Sequence, residues 1–159
     1  MRTITLRPKA RSKNGSLGMY FRYSKTEGVK VAFCYFCSRK KRSQCKDCRR
    51  GVRREHRALV VAWSVRGVLP IRTPEPHGLV AVQGLPRPLL GVAMEHIVGR
   101  EANEDEMNEM FEVADGYFPD EHSGNYIVTR TGVVYRVDLG SLPVENKLRR
   151  LTHAARRRT

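Results

Sequence analysis

Acidic residues are scarce in this sequence. Its 159 residues carry 30 Lys and Arg against 16 Asp and Glu, for a formal net charge of +14. Such an excess disfavours cationic partners and points to polyanions: nucleic acid, nucleotide phosphates or an acidic protein surface. Long hydrophobic runs are also missing, since none reaches the roughly 18 to 20 residues of a membrane span. The opening Met1-Arg2-Thr3-Ile4-Thr5-Leu6 lacks the apolar core and cleavage pattern of a secretory leader. The expectation is a soluble, cytoplasmic protein with no membrane partner. Its length suits one compact domain, or a smaller one with tails.

The charge is unevenly spread. Residues 1–57 hold 18 Lys or Arg and three acids, whereas residues 58–118 hold four basic and nine acidic residues. A basic flexible arm is expected over 1–14, a folded domain over 15–141, and a basic helix or tail over 142–159, where Leu148, Leu151 and Ala155 share a helical face. Residues 39–57 are the expected contact for nucleic acid or an acidic protein.

Cysteine is used four times, all within one short segment. Cys34-x-x-Cys37 and Cys45-x-x-Cys48 are separated by seven residues. Two such pairs can supply the four soft ligands of a closed tetrahedral site, so a structural Zn²⁺ knuckle is expected over 34–48. The alternatives are reduced thiols without metal, or a disulfide or redox pair. Arg39, Lys40, Lys41, Arg42, Arg49, Arg50, Arg53 and Arg54 would give the knuckle a surface suited to a phosphate backbone.

Alternation and turn residues give the remaining elements. Gly15 to Tyr23 and Val29 to Phe36 read as two strands around a turn at Lys25-Thr26-Glu27-Gly28. An amphipathic helix is predicted from Arg53 to Val65, ending near Gly67, with Glu55 in its first turn, where an acid suits the helix dipole. Strands follow at 78–83 and 89–97. A helix over 101–114 carries Met107, Met110, Phe111 and Ala114 on one face, a stripe that reads as core. Asn125 then precedes a hairpin with strands at Tyr126-Ile127-Val128 and Val133 to Val137, turning at Thr131-Gly132. Asp138-Leu139-Gly140 closes it.

This arrangement puts Asp120, Asn125 and Asp138 at the ends of one hairpin. Taken singly, such residues are common turn formers. Together, Asp120-Glu121-His122-Ser123-Gly124-Asn125, a strand, a turn, a strand and Asp138-Leu139-Gly140 resemble the catalytic and metal-binding loops of the protein-kinase-like superfamily. The resemblance is to its small atypical members, the aminoglycoside and choline phosphotransferases, Kdo kinases and RIO-type kinases. It extends loosely over 15–141. It implies that Asp120 accepts a substrate hydroxyl proton and that Asn125 and Asp138 hold Mg²⁺ on ATP. Met94-Glu95-His96-Ile97 is similar to the family's hinge, which implies adenine contacts near Glu95 and His96. Glu55 would be the helix acid that pairs with the phosphate-binding Lys.

Several positions depart from the pattern. Cys34 occupies the expected place of that Lys, so Lys30 or a nearby Arg would have to substitute. Phe118-Pro119 stands before the loop, Leu139 replaces the commoner Phe, and little chain remains for a C-lobe. The fold implied is α+β: a minimal kinase-like fold with an antiparallel N-lobe sheet, one or two helices and a catalytic-loop hairpin. The implied function is Mg-ATP-dependent phosphotransfer to a hydroxyl of an unidentified substrate. One alternative is a basic zinc-knuckle protein that binds nucleic acid or a nucleic-acid enzyme. Another is a pseudokinase that binds a partner.

Overall fold

A computed structural model describes residues 1–6, 12–15, 18–32, 37, 44–67, 69, 71–84, 88–114, 123–139, 146, 149 and 150. Asp120, Cys34 and the run 39–42 lie outside these residues, as does most of the expected C-terminal helix or tail. The fold is α+β. Among the described residues it has two α-helices, α1 (Lys46–Ser64) and α2 (Glu104–Ala114), and nine strands: β1 (Arg2–Thr5), β2 (Ser12–Gly15), β3 (Gly18–Arg22), β4 (Glu27–Ala32), β5 (Pro76–Gln83), β6 (Leu89–Glu95), β7 (Gly99–Glu101), β8 (Tyr126–Thr129) and β9 (Val134–Arg136). None of the described helices is long and apolar enough to cross a membrane. The chain divides into two units, Met1–His56 with Pro76–His96, and Arg57–Glu75 with Ile97–Thr159.

The first unit is built on a six-stranded sheet in the order β1-β5-β6-β4-β3-β2. Ile4, Leu6, Phe21, Val29, Val31, Val80, Val82, Leu89 and Ala93 form one buried apolar cluster. Their period-two spacing puts this cluster on a single sheet face. The opposite face of β4 receives α1. A methyl built on Gly51 would stand 4.0 Å from the Ala32 Cβ, and four residues further along α1 Glu55 meets Lys30. Four residues of helix rise about 6 Å and two residues of strand about 6.6 Å. Helix and strand therefore run in opposite directions with matched contacts.

Three expectations for this unit are corrected. Arg2–Thr5 and Ser12–Gly15 do not belong to a free arm, because β1 pairs in parallel with β5 and β2 pairs with β3. Ile4 and Leu6 are almost wholly buried, and their burial outweighs the basic composition that suggested disorder. The parallel β1 also makes the sheet mixed where a purely antiparallel one was expected. In addition, α1 begins at Lys46, seven residues before the predicted start at Arg53.

In the second unit, β7, β8 and β9 form an antiparallel sheet. The β8–β9 hairpin is the predicted one. Gly132 supplies the positive φ of +78° at its turn, a conformation that costs glycine little. Tyr126, Val128, Ala102, Met107 and Leu139 are buried here. The predicted 101–114 helix starts later, at Glu104, because 99–101 pair with β8 and Asn103 caps the helix. Asn103 Oδ1 accepts the Glu106 N–H at 2.8 Å, and Glu106 Oε2 accepts the Asn103 N–H at 2.9 Å, a reciprocal capping box.

Candidate functional site

Three of the four cysteines come together. The Cys45 and Cys48 Sγ atoms are 3.4 Å apart, those of Cys48 and Cys37 are 3.9 Å apart, and all three lie within 4.8 Å of one another. Local structure explains the convergence. Cys45 directly precedes α1 and Cys48 sits in its first turn, so the x-x spacing turns both thiols to one side. The Cys48 N–H donates to Cys45 Sγ at 3.5 Å, and the Cys45 N–H donates to Cys37 Sγ at 3.4 Å. Hydrogen bonding from the Cys48 backbone, then from the Cys48 and Cys37 side chains, lowers the Cys45 thiol to about 7. Thiolate is the form that binds metal.

These distances fit a metal such as zinc. Tetrahedral coordination at about 2.3 Å per Zn–S bond separates sulfurs by about 3.8 Å. Two of the sulfur pairs stand close to that value with no disulfide between them. Cys37 and Cys48 are buried and Cys45 is half-buried, which suits a closed, structural centre.

The cluster is tied to the sheet by Gln44, which the sequence reading passed over. Gln44 is buried, its Nε2 donates to Ala32 O at 3.0 Å and Leu90 O at 2.8 Å, and its Oε1 accepts the Leu90 N–H at 2.7 Å. The β4–β6 ladder runs from Glu27↔Glu95 to Lys30↔Val92. One amide side chain then takes over where that pairing stops.

Lys30 and Glu55 meet. Lys30 Nζ lies 3.1 Å from Glu55 Oε2, with side-chain exposures of 21% and 5%. Glu55 thus has a basic partner on β4. Glu55 is buried, so its position in α1 answers to more than the helix dipole.

The hinge-like end of β6 is also structured. The His96 N–H donates to Thr26 O at 2.8 Å, which commits a backbone donor that the kinase resemblance would assign to adenine. The Tyr20 hydroxyl lies 2.9 Å from His96 Nδ1, with the rings stacked at 5.9 Å. Gly28 makes this possible, because a Cβ there would overlap the Tyr20 ring. Burial, followed by the Arg22 charge, lowers the His96 pKa, and burial raises that of Tyr20. Glu95 is half-buried at the end of β6, opposite Glu27. Glu27 itself accepts from Arg2 and lies 3.3 Å from His77 Nδ1.

In the second unit, the Val137 N–H donates to Asn125 O at 2.9 Å. This bond closes the open end of the β8–β9 hairpin and brings the chain bearing Asn125 beside the one leading to Asp138. Arg136 is wholly buried, its guanidinium lies 4.7 Å from the Tyr126 ring centroid, and its Nε donates to Asp138 O at 2.9 Å. Buried Leu139 anchors the other side of Asp138. Arg136 was missed by sequence reasoning; its register pairing with Tyr126 is the structural reason for its burial.

The chain matches no family model and no curated protein sequence. The residues themselves carry the functional reading.

Proposed function

We propose that this protein is a minimal kinase-like phosphotransferase that acts on Mg-ATP and a hydroxyl substrate. The observation that carries the reading is the Lys30–Glu55 ion pair between a sheet strand and the helix that follows it. In protein kinases a strand Lys held by a helix Glu must be in place for transfer. Lys30 would offer its ammonium to ATP phosphates, and Glu55 would fix the direction of that ammonium.

Asp138 and Asn125 offer a carboxylate and an amide oxygen on adjoining backbone, a donor set suited to Mg²⁺. Bound Mg²⁺ would supply neutralisation of phosphate charge. Arg136, by holding the Asp138 carbonyl, would fix the loop that presents the carboxylate. Asp120 is assigned the substrate hydroxyl proton. Such chemistry relies on positioning and electrostatics more than on covalent steps. The three clustered cysteines, with Cys34 as fourth ligand, are assigned a structural Zn²⁺ that fixes the start of α1, and through it Glu55.

The reading is tested by following Mg²⁺-dependent ATP turnover or autophosphorylation in wild type, Lys30→Met and Asp138→Ala. Activity in wild type that disappears in both variants supports the enzyme. Nucleotide binding without turnover would instead favour a pseudokinase that serves as a partner-binding module.

A further inference from the structure

The outer face of α1 carries charge that neither the fold nor phosphotransfer uses. Cys48, Val52, Glu55, Ala58, Leu59 and Ala62 are its buried stripe. On the opposite side Lys46, Arg49, Arg50 and Arg53 are all exposed, at the three- and four-residue spacings that align side chains in one ridge. Among the described residues the one acid paired with them is Asp47, 3.4 Å from Arg50 in an exposed pair, and pairs of that kind neutralise little.

This placement works against the helix. Cations are favourable near a helix C-terminus and unfavourable near its N-terminus. Here they crowd the first two turns, while the last turn has no basic residue. Lys46 with Arg50, and Arg49 with Arg53, are also like charges four residues apart, which repel. A polyanion laid along the ridge would relieve both costs.

We propose that this face of α1 binds the phosphate backbone of nucleic acid without regard to sequence. The chemistry of the ridge favours this partner over others. Val60, seven residues on from Arg53, is the one large apolar side chain exposed among the described residues of α1, whereas protein interfaces rely on clusters of apolar or aromatic anchors and surface-bound membrane helices on a whole apolar face. Its Arg and Lys side chains can meet guanine as well as phosphate, but the four ridge residues include none of the Asn, Gln, Glu or aromatic groups that read or stack the other bases, which favours contacts to phosphate. The inference is independent of the phosphotransfer reading.

The test is fluorescence anisotropy of a labelled mixed-sequence DNA duplex with the full chain across a salt series. Four phosphate contacts give a slope of log affinity against log salt near −3.6, a loss of about 100-fold between 50 and 200 mM salt. Replacing Lys46, Arg49, Arg50 and Arg53 together by Gln should remove most of that slope. Gln is a good helix former at exposed positions, so the variant should keep its circular dichroism and gain thermal stability. Neutralising Arg156, Arg157 and Arg158 instead should leave most of the slope. Equal slopes in wild type and the ridge variant would overturn the proposal. So would a wild type that ignores the duplex at low salt, or one that prefers phosphatidylserine vesicles to it.

Discussion

A buried ion pair is costly to assemble and costlier to break from one side, because the remaining charge has lost both water and its partner. That asymmetry governs Lys30 and Glu55, whose carboxylate side chain is only 5% exposed. Lys30→Met is therefore expected to destabilise the fold by about 3 kcal/mol in urea titration. The double variant Lys30→Met/Glu55→Leu should recover much of that stability while remaining inactive. Losses that add across Lys30→Met, Glu55→Leu and the double variant would show that the two side chains act separately. The sequence named both residues through the kinase-like resemblance, but local signals alone did not pair them. Lys30 sits on an exposed-looking position of an alternating strand, and Glu55 suits a helix N-terminal turn for local reasons. Arg136 was hidden, since an arginine between Tyr135 and Val137 reads as the outward residue of its strand. Only its pairing with Tyr126 across the hairpin turns that reading round.

Among the elements, the β8–β9 hairpin was the most legible, because its alternation and Gly132 turn are local signals. The start of α1 was the least legible. Its first buried positions are Cys48, Val52 and Glu55, with Gly51 against Ala32, and two of these three are not residues that hydrophobic periodicity counts. The thiol cluster and the Gln44 bridge fix this early turn, so metal removal is expected to act at the helix. Chelation under reducing conditions should lower the melting temperature and reduce helical circular dichroism, and added Zn²⁺ should restore both. Protein purified without zinc, and indifferent to chelators, would remove the metal from the account.

The start of α2 obeys different physics. Asn103→Ala should cost about 1 kcal/mol, as loss of an N-cap does. Its partner Glu106 is held to about 2, below the ordinary 4.5, first by Arg100, whose Nη1 and Nη2 reach its oxygens at 2.7 and 2.5 Å, and then by the Asn103 N–H. A carboxyl depressed in the folded state contributes stability that is complete above its unfolded pKa and fades as pH falls toward the folded one. The stability difference between wild type and Glu106→Gln should therefore be constant above about pH 5 and shrink from there toward pH 2. A difference that grows on acidification would contradict the pairing.

For the molecule as a whole, the resemblance implied the α+β class that the structure has, while the basic composition misplaced the N-terminus. Arg2 looked like part of a loose basic arm, yet it pairs with Glu27 while Ile4 and Leu6 enter the core. Two units carry two sets of features: one has the cysteine cluster, Lys30 and Glu55, and the other has Asn125 and Asp138 on a closed hairpin end. The most direct test is a thermal-shift titration of the full chain with ATP, with and without Mg²⁺. Occupancy at 100 times the dissociation constant adds about 2.7 kcal/mol to the native state. The expected result is a rise in melting temperature that requires Mg²⁺ in wild type and vanishes in Asp138→Ala. No rise with Mg-ATP, or an equal rise in Asp138→Ala, would contradict the kinase-like reading.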